Sequence, residues 1–307
     1  MTRSVLETPV VFIVFNRPDL TERVLARIAE ARPRTLYVIA DGPRPGRPED
    51  PERVARTRAV LERVDWDCDL IEDFSEHNLG CGRRIASGLD RVFSRFEEAI
   101  ILEDDCLPDP SFFGFCRELL ERYRDDPRVM NVTGEQASRI RPPRGESYFF
   151  TSLPRIWGWA TWARAWKGYD FELRDWADDR PEFLRRLADY YKGGRPLCRR
   201  MDKVVENRID TWDYQWFHHV FKHEGLCINP AVNLVSNLGF DERATHSWSE
   251  EGRDRCLPTR SIPMPLVHPP RAELDRRVDR RFFFERFGRP LPARIRSRAR
   301  QLLGLSS

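Results

Sequence analysis

Ile100-Ile-Leu-Glu-Asp-Asp-Cys-Leu-Pro-Asp109 begins apolar and turns acidic within four residues. The stretch Glu98-Ala-Ile-Ile-Leu-Glu103 has the length and apolar continuity of a strand buried on both faces. Such a strand delivers Glu103, Asp104 and Asp105 to its carboxyl end, where open α/β sheets bind their ligands. Three adjacent carboxylates repel one another, so the cluster is stable there when a cation or sugar hydroxyls satisfy it. A hard divalent ion bridging these acids to a substrate diphosphate is the natural reading. A solvated acidic turn is the alternative.

Working outward, Pro9-Val-Val-Phe-Ile-Val-Phe15 and Thr35-Leu-Tyr-Val-Ile-Ala-Asp41 read as further buried strands, with a short one from Asp69 to Phe74. Between them, Leu20, Val24, Leu25 and Ile28 keep helical spacing, and helices are predicted from Val54 to Val64 and from Gly82 to Phe96. This alternation predicts an α/β fold, with a mostly parallel sheet and helices on both faces. The second half is less regular. Phe112 to Tyr123 reads as a helix, Val129 to Thr133 as a strand, Pro181 to Arg208 as a charged helical region, Asp213 to His223 as a helix, and Asn229 to Ser236 as a strand and loop. Residues 1–265 form the expected catalytic domain. Residues 266–307 form a basic, helical tail outside its core, with eleven arginines against four acids from Arg271 onward.

Composition limits the function. The 307 residues are 40% hydrophobic, enough for a sizeable core, and 52 basic against 49 acidic residues leave a net charge of +3. That balance argues against a dedicated nucleic-acid binder. The longest early apolar run, Val10 to Phe15, is far short of a membrane span, and MTRSVLETP lacks the apolar region of a signal peptide. The expectation is a soluble protein on the cytoplasmic side. Seven scattered cysteines without a CxxC pair indicate free thiols.

The acidic segment has company: Asn16-Arg-Pro18, Ala40-Asp41, Asn78-Leu-Gly-Cys-Gly-Arg83, Trp157-Gly-Trp-Ala-Thr-Trp162, Trp212-Asp-Tyr-Gln-Trp216 and Asn237-Leu-Gly-Phe-Asp-Glu-Arg-Ala-Thr-His246. In this order and spacing, over roughly residues 9 to 250, the set resembles bacterial nucleotide-sugar glycosyltransferases of the GT-A fold, most closely the N-acetylglucosaminyltransferase I type. The resemblance implies a Rossmann-like sheet and inverting sugar transfer from a nucleoside-diphosphate sugar, with UDP-GlcNAc as the hinted donor. It implies that Asp105 ligates Mn2+ or Mg2+, with His246 completing the metal and diphosphate site. It further implies that Glu103 and Asp104 contact the ribose and sugar, that Asp41 bonds the base, and that Arg17, beside Asn16, pairs with the diphosphate. Arg83 or Arg84 would share the diphosphate role. An Asx turn before Gly42 is the plainer reading of Asp41.

Inverting transfer needs a base for the acceptor hydroxyl and positive charge at the leaving diphosphate. By resemblance the base is Asp213, with Asp210 as the local competitor; a helix-terminal acid is the structural alternative. Trp157 or Trp212 would serve as a sugar platform, while most of the Trp157–Trp162 set packs. His219 and His223 share a helical face at zinc-compatible spacing, although a solvated or partner-packed face suits them better. Arginines interleaved with Phe282, Phe283, Phe284 and Phe287 suit either a helix on an anionic membrane or one packed back on the domain. The acceptor would be a lipid-linked or other glycan hydroxyl. Two rival readings are a nucleotidyltransferase and a non-catalytic carbohydrate-binding protein.

Overall fold

In the computed structural model the described residues are 5–138, 140–142, 144–190, 194–239 and 256–287. The first half alternates as expected: β1 (Val10–Val14), α1 (Pro18–Ala31), β2 (Thr35–Ala40), α2 (Asp50–Ala59), β3 (Asp69–Phe74), α3 (Cys81–Phe93) and β4 (Glu98–Glu103). Then follow β5 (Cys106–Pro108), α4 (Ser111–Arg122), β6 (Val129–Thr133), β7 (Tyr148–Thr151), β8 (Trp159–Trp162) and α5 (Ala163–Trp166). The chain continues through α6 (Trp176–Tyr190), α7 (Gly194–Val205), α8 (Asp213–Lys222), β9 (Leu226–Pro230), β10 (Val235–Asn237) and α9 (Arg276–Phe287).

Eight strands form one sheet in the order β3-β2-β1-β4-β8-β6-β9-β7. The strands β1 to β4, β6 and β9 run one way, with β8 and β7 against them, so the sheet is mostly parallel as expected. Every residue of β1 is buried, as are Leu36 to Ala40 of β2 and Ala99 to Leu102 of β4; only strands covered on both faces can be this uniformly apolar. Right-handed crossovers carry α1 and α2 over one face on the way outward from β1 to β3. The return from β3 to β4 carries α3 over the other. The α3 helix lies so close to the sheet that a Cβ at Gly88 would be 2.7 Å from Ile39 Cδ1. The order reverses between β1 and β4, and their register, Val10↔Ile100 to Ile13↔Glu103, brings both carboxyl ends level. That is the topological switch point where a ligand crevice forms.

The second half adds three features. The Trp157–Trp162 segment contains a strand: β8 lies antiparallel between β4 and β6 with all four residues buried. Its uniform burial removed the period-two alternation by which a half-exposed strand is recognised. The region from Pro181 to Arg208 is two helices, α6 and α7, which pack on each other. In the described part of the tail, up to Phe287, Phe282 and Phe283 pack back on other elements, the second of the two readings open for it, rather than standing outside the core. Phe282 and Phe283 are 3% and 1% exposed in a second apolar cluster with Phe183, Phe217 and Phe221. Asp279, fully buried on the same helix, accepts hydrogen bonds from Ser152 N and Oγ, both at 2.8 Å. The arginine count misled because Arg276, Arg277, Arg280 and Arg281 occupy only the outward face. Residues 288–307 lie outside the described residues.

Candidate active site

A cleft of about 280 Å³ opens at the β1/β4 switch point. Its floor is the carboxyl end of β4. Its walls come from the β1–α1 loop, the β2–α2 loop, the start of α3, Ile156 and Trp157, the segment from Asp210 to Asp213, and the segment from Asn237 to Gly239. Of the site residues expected from sequence, Asn16, Arg17, Asp41, Arg84, Glu103, Asp104, Asp105, Trp157, Trp212 and Asp213 line it, and so does Asp210. His246 lies outside the described residues.

The strand ends at Glu103, and Asp104 and Asp105 lie in the turn after it, each with its own partner. Asp104 Oδ2 accepts from Phe15 N at 3.2 Å, and Asp105 Oδ2 accepts from Arg17 Nη1 at 2.7 Å. Arg17 Nη1 also stands 3.7 Å from Asp104 Oδ1. Loss of water pushes the Glu103 carboxyl well above its usual range, reinforced by Asp105, Asp104 and Asp213 in that order. The same loss of water, then Asp105, pushes Asp104 up to about 7 against the opposing pull of Arg17 and the Phe15 amide. The lining thus holds more carboxyl groups than guanidiniums, and burial with mutual repulsion favours the protonated forms of Glu103 and Asp104 until a further cation offsets it.

That surplus suits a hard cation. Among the described residues, no three His, Cys, Asp or Glu side chains converge as a metal site. Magnesium-type ions are commonly held by one or two carboxylates together with substrate phosphates rather than by an all-protein cage, so the oxygens present fit such an ion. Close packing supports Asp105 from the far side: Leu238 N donates to Asp105 O at 2.8 Å, and a Cβ at Gly239 would lie 2.0 Å from Asp105 Oδ2.

Geometry separates the alternatives that sequence left open. Arg83 points away, pairing with Glu172 at 2.9 Å and covering the Phe171 ring at 5.2 Å. Arg84 is 2% exposed and lines the cleft, donating from Nε to Ala40 O and pairing through Nη2 with Asp73 at 2.8 Å; its Nη1 has no hydrogen-bond partner among the described residues. Asp41 makes the Asx-type contact, accepting from Gly42 N at 2.9 Å, and it also receives Leu79 N, Gly80 N and Asn78 Nδ2. Burial still holds its carboxyl above the usual range, outweighing those amides. It ties β2 to the loop before α3.

Trp212 is 2% exposed and stacks on Trp159 at 5.5 Å between centroids, so its ring is core. Trp157 is half-buried at the cleft wall. Asp210 Oδ2 and Oδ1 accept from Cys81 N and Gly82 N, each at 2.9 Å, at the start of α3. Asp213, in the first turn of α8, accepts from Thr211 Oγ1 and from Tyr214 N. On the face shared by His219 and His223, His219 is 6% exposed with its Nε2 engaged by Ala165 O at 3.0 Å, whereas His223 is exposed, with its Nδ1 2.8 Å from His219 O.

Sequence reading missed Arg44 and Asp50. Asp50 has no exposed surface and gathers Arg44 Nε at 2.6 Å, Arg44 Nη2 at 2.9 Å and Asn16 Nδ2 at 2.8 Å. Arg44 also covers the Phe15 ring at 5.3 Å. The segment Gly42-Pro-Arg-Pro-Gly-Arg-Pro-Glu-Asp-Pro51 signals only a turn. All seven cysteines are free. No helix among the described residues is long and apolar enough to cross a membrane.

No protein-family model matches the chain, and no curated protein matches its sequence. Among solved structures it is similar to a mannosyltransferase from Pyrobaculum calidifontis in complex with GDP-Man and Mn2+, at TM-score 0.36 and 17% identity, covering 55% of this chain and 48% of that one. The chain thus spans about half the length of that mannosyltransferase. It is similar to the apo form of mouse xyloside xylosyltransferase 1 at TM-score 0.36 and 12% identity, covering 71% and 82% of the two chains. A UDP-glucose pyrophosphorylase complexed with UDP-glucose is similar at TM-score 0.27 and 10% identity, covering 47% and 62%. None of these three is an N-acetylglucosaminyltransferase.

Proposed function

We propose that this chain is a GT-A glycosyltransferase that moves a sugar from a nucleoside-diphosphate sugar to an acceptor hydroxyl with inversion. The observation that carries the reading is one cleft, at the sheet's switch point, in which Glu103, Asp104 and Asp105 meet Arg17 on one side and Asp213 on another. In the reaction, the acceptor oxygen attacks the anomeric carbon as the bond to the diphosphate breaks on the opposite face. Asp213 takes the acceptor's proton, and Arg17 and Arg84 offer guanidinium charge to the departing diphosphate. Asp105 would hold Mn2+ or Mg2+, which when bound acts as a Lewis acid toward phosphate oxygens. Asn16, Asp41 and Arg44 form the nucleoside side, and Trp157 offers an aromatic face to a sugar. UDP-GlcNAc is the donor to screen first.

The rival readings predict different chemistry. A nucleotidyltransferase would use a glycine-rich phosphate loop after its first strand, whereas β1 runs into Phe15-Asn16-Arg17-Pro18. A carbohydrate-binding protein has no use for the acids together with Asp213. Calorimetry with UDP and GDP, with and without Mn2+, separates them. Metal-dependent binding that disappears in Asp105→Ala supports the transferase. Binding unchanged by chelator or by that substitution removes Asp105 from the site, and no affinity for either nucleotide sinks the reading.

A further inference from the structure

The α3 helix starts without a capping side chain of its own. Its first amides, Cys81 N and Gly82 N, are met by Asp210, 129 and 128 residues away in the chain. A carboxylate here satisfies orphan helix donors and lies favourably in the helix dipole. The approach leaves no slack. A Cβ at Gly80 would lie 2.5 Å from Asp210 Oδ2, and one at Gly82 would lie 2.6 Å from Thr211 O. These two contacts give the glycines of Asn78-Leu-Gly-Cys-Gly82 a physical reason: they admit the Asp210 loop.

The same loop carries Asp213 into the cleft. Thr211 Oγ1 donates to Asp213 Oδ1, Gln215 Nε2 donates to Thr211 O at 2.8 Å, and Tyr169 Oη donates to Trp212 O at 2.9 Å. Every link from the α3 terminus to Asp213 is thus a hydrogen bond or a buried ring. Asp210 also lines the cleft, but both of its oxygens are engaged by peptide amides.

We infer that Asp210 is a positioning residue: it docks the loop from Asp210 to Asp213 on the α3 N-terminus and so sets the reach of Asp213 into the cleft. This rests on the reading of Asp213 as the base. A shift of about 1 Å in a catalytic group costs on the order of 10²-fold in rate. Asp210→Ala should therefore lower kcat by about 10²-fold, with nucleotide affinity unchanged. Asparagine caps helices about as well as aspartate, and alanine does not. Asp210→Asn keeps one of the two acceptor oxygens and sets an NH2 against the other amide, so it should recover part of kcat and leave the pH–rate profile unshifted. Gly82→Ala keeps every carboxylate but pushes the loop away, and should reproduce Asp210→Ala.

The experiment measures donor-sugar transfer and hydrolysis for these variants and for Asp213→Asn, with hydrogen exchange of the Cys81 and Gly82 amides. Faster exchange of both amides in Asp210→Ala, protection kept at one of them in Asp210→Asn and the matching order in kcat support the proposal. Full kcat in Asp210→Ala and Gly82→Ala, with Asp213→Asn inactive, overturns it and leaves the base reading standing. Equal loss in Asp210→Ala and Asp210→Asn, with Asp213→Asn active, makes Asp210 the base and overturns both.

Discussion

Asp50→Asn perturbs the group that gathers the nucleoside side of the cleft. The Asp50 carboxylate is fully buried against Arg44 and Asn16, whose hydrogen bonds, Arg44 foremost, outweigh burial and lower its pKa from 3.8 to about 2. A carboxyl whose pKa is depressed by folding contributes stability that is present above its unfolded value and lost as pH falls through the folded one. The shift corresponds to about 2 kcal/mol at pH 7, at about 1.4 kcal/mol per pH unit. By about pH 3 roughly half of it is gone, because the unfolded state is then mostly protonated and the native state only beginning to be. Urea unfolding followed by tryptophan fluorescence should therefore show a gap of about 2 kcal/mol between wild type and Asp50→Asn at pH 7, closing to about 1 kcal/mol at pH 3 with unchanged m. Nucleotide affinity should fall as well, since Asn16 and Arg44 lose their shared anchor. A stability gap of the same size at both pH values would refute the electrostatic account and leave only packing.

Two further outcomes follow from other parts of the molecule. Asp213→Asn should keep donor affinity while kcat falls by about 10²-fold or more, and the wild-type product, by proton NMR, should carry the anomeric configuration opposite to the donor's; a product with the donor's own configuration excludes direct displacement assisted by Asp213. Phe283→Ala should cost about 3–5 kcal/mol, the usual range for emptying a well-packed phenylalanine site, lowering the midpoint of thermal unfolding of the whole domain; an unchanged midpoint would mean that α9 is not part of the cooperative core.

Much of the first half is written in local sequence. Val10–Val14, Leu36–Ala40 and Ala99–Leu102 are continuous apolar runs because they are covered on both faces, and that burial is itself legible. The position of Glu103 to Asp105 follows from where such a run ends. The helical phase of α3 even hints at Arg84 over Arg83, since Arg84 falls beside the buried stripe of Ile85, Gly88, Leu89 and Val92.

What remained depends on pairings between distant segments, which no local pattern encodes. Trp159–Trp162 becomes a strand only because β4 and β6 flank it, and Trp212 becomes core only because Trp159 lies against it. Asp210 and Asp213 look equivalent in sequence, as two acids three residues apart at the approach to a helix. The amides that engage Asp210 are supplied from the start of α3, and only folding brings them there. The charge of the segment after Arg271 was legible, but not that Phe282, Phe283 and Asp279 turn inward, because their partners Phe149, Phe217, Phe221 and Ser152 come from other elements. Propensity and periodicity set the strands, the helices and the acidic strand end; long-range packing chose which side chains face the cleft.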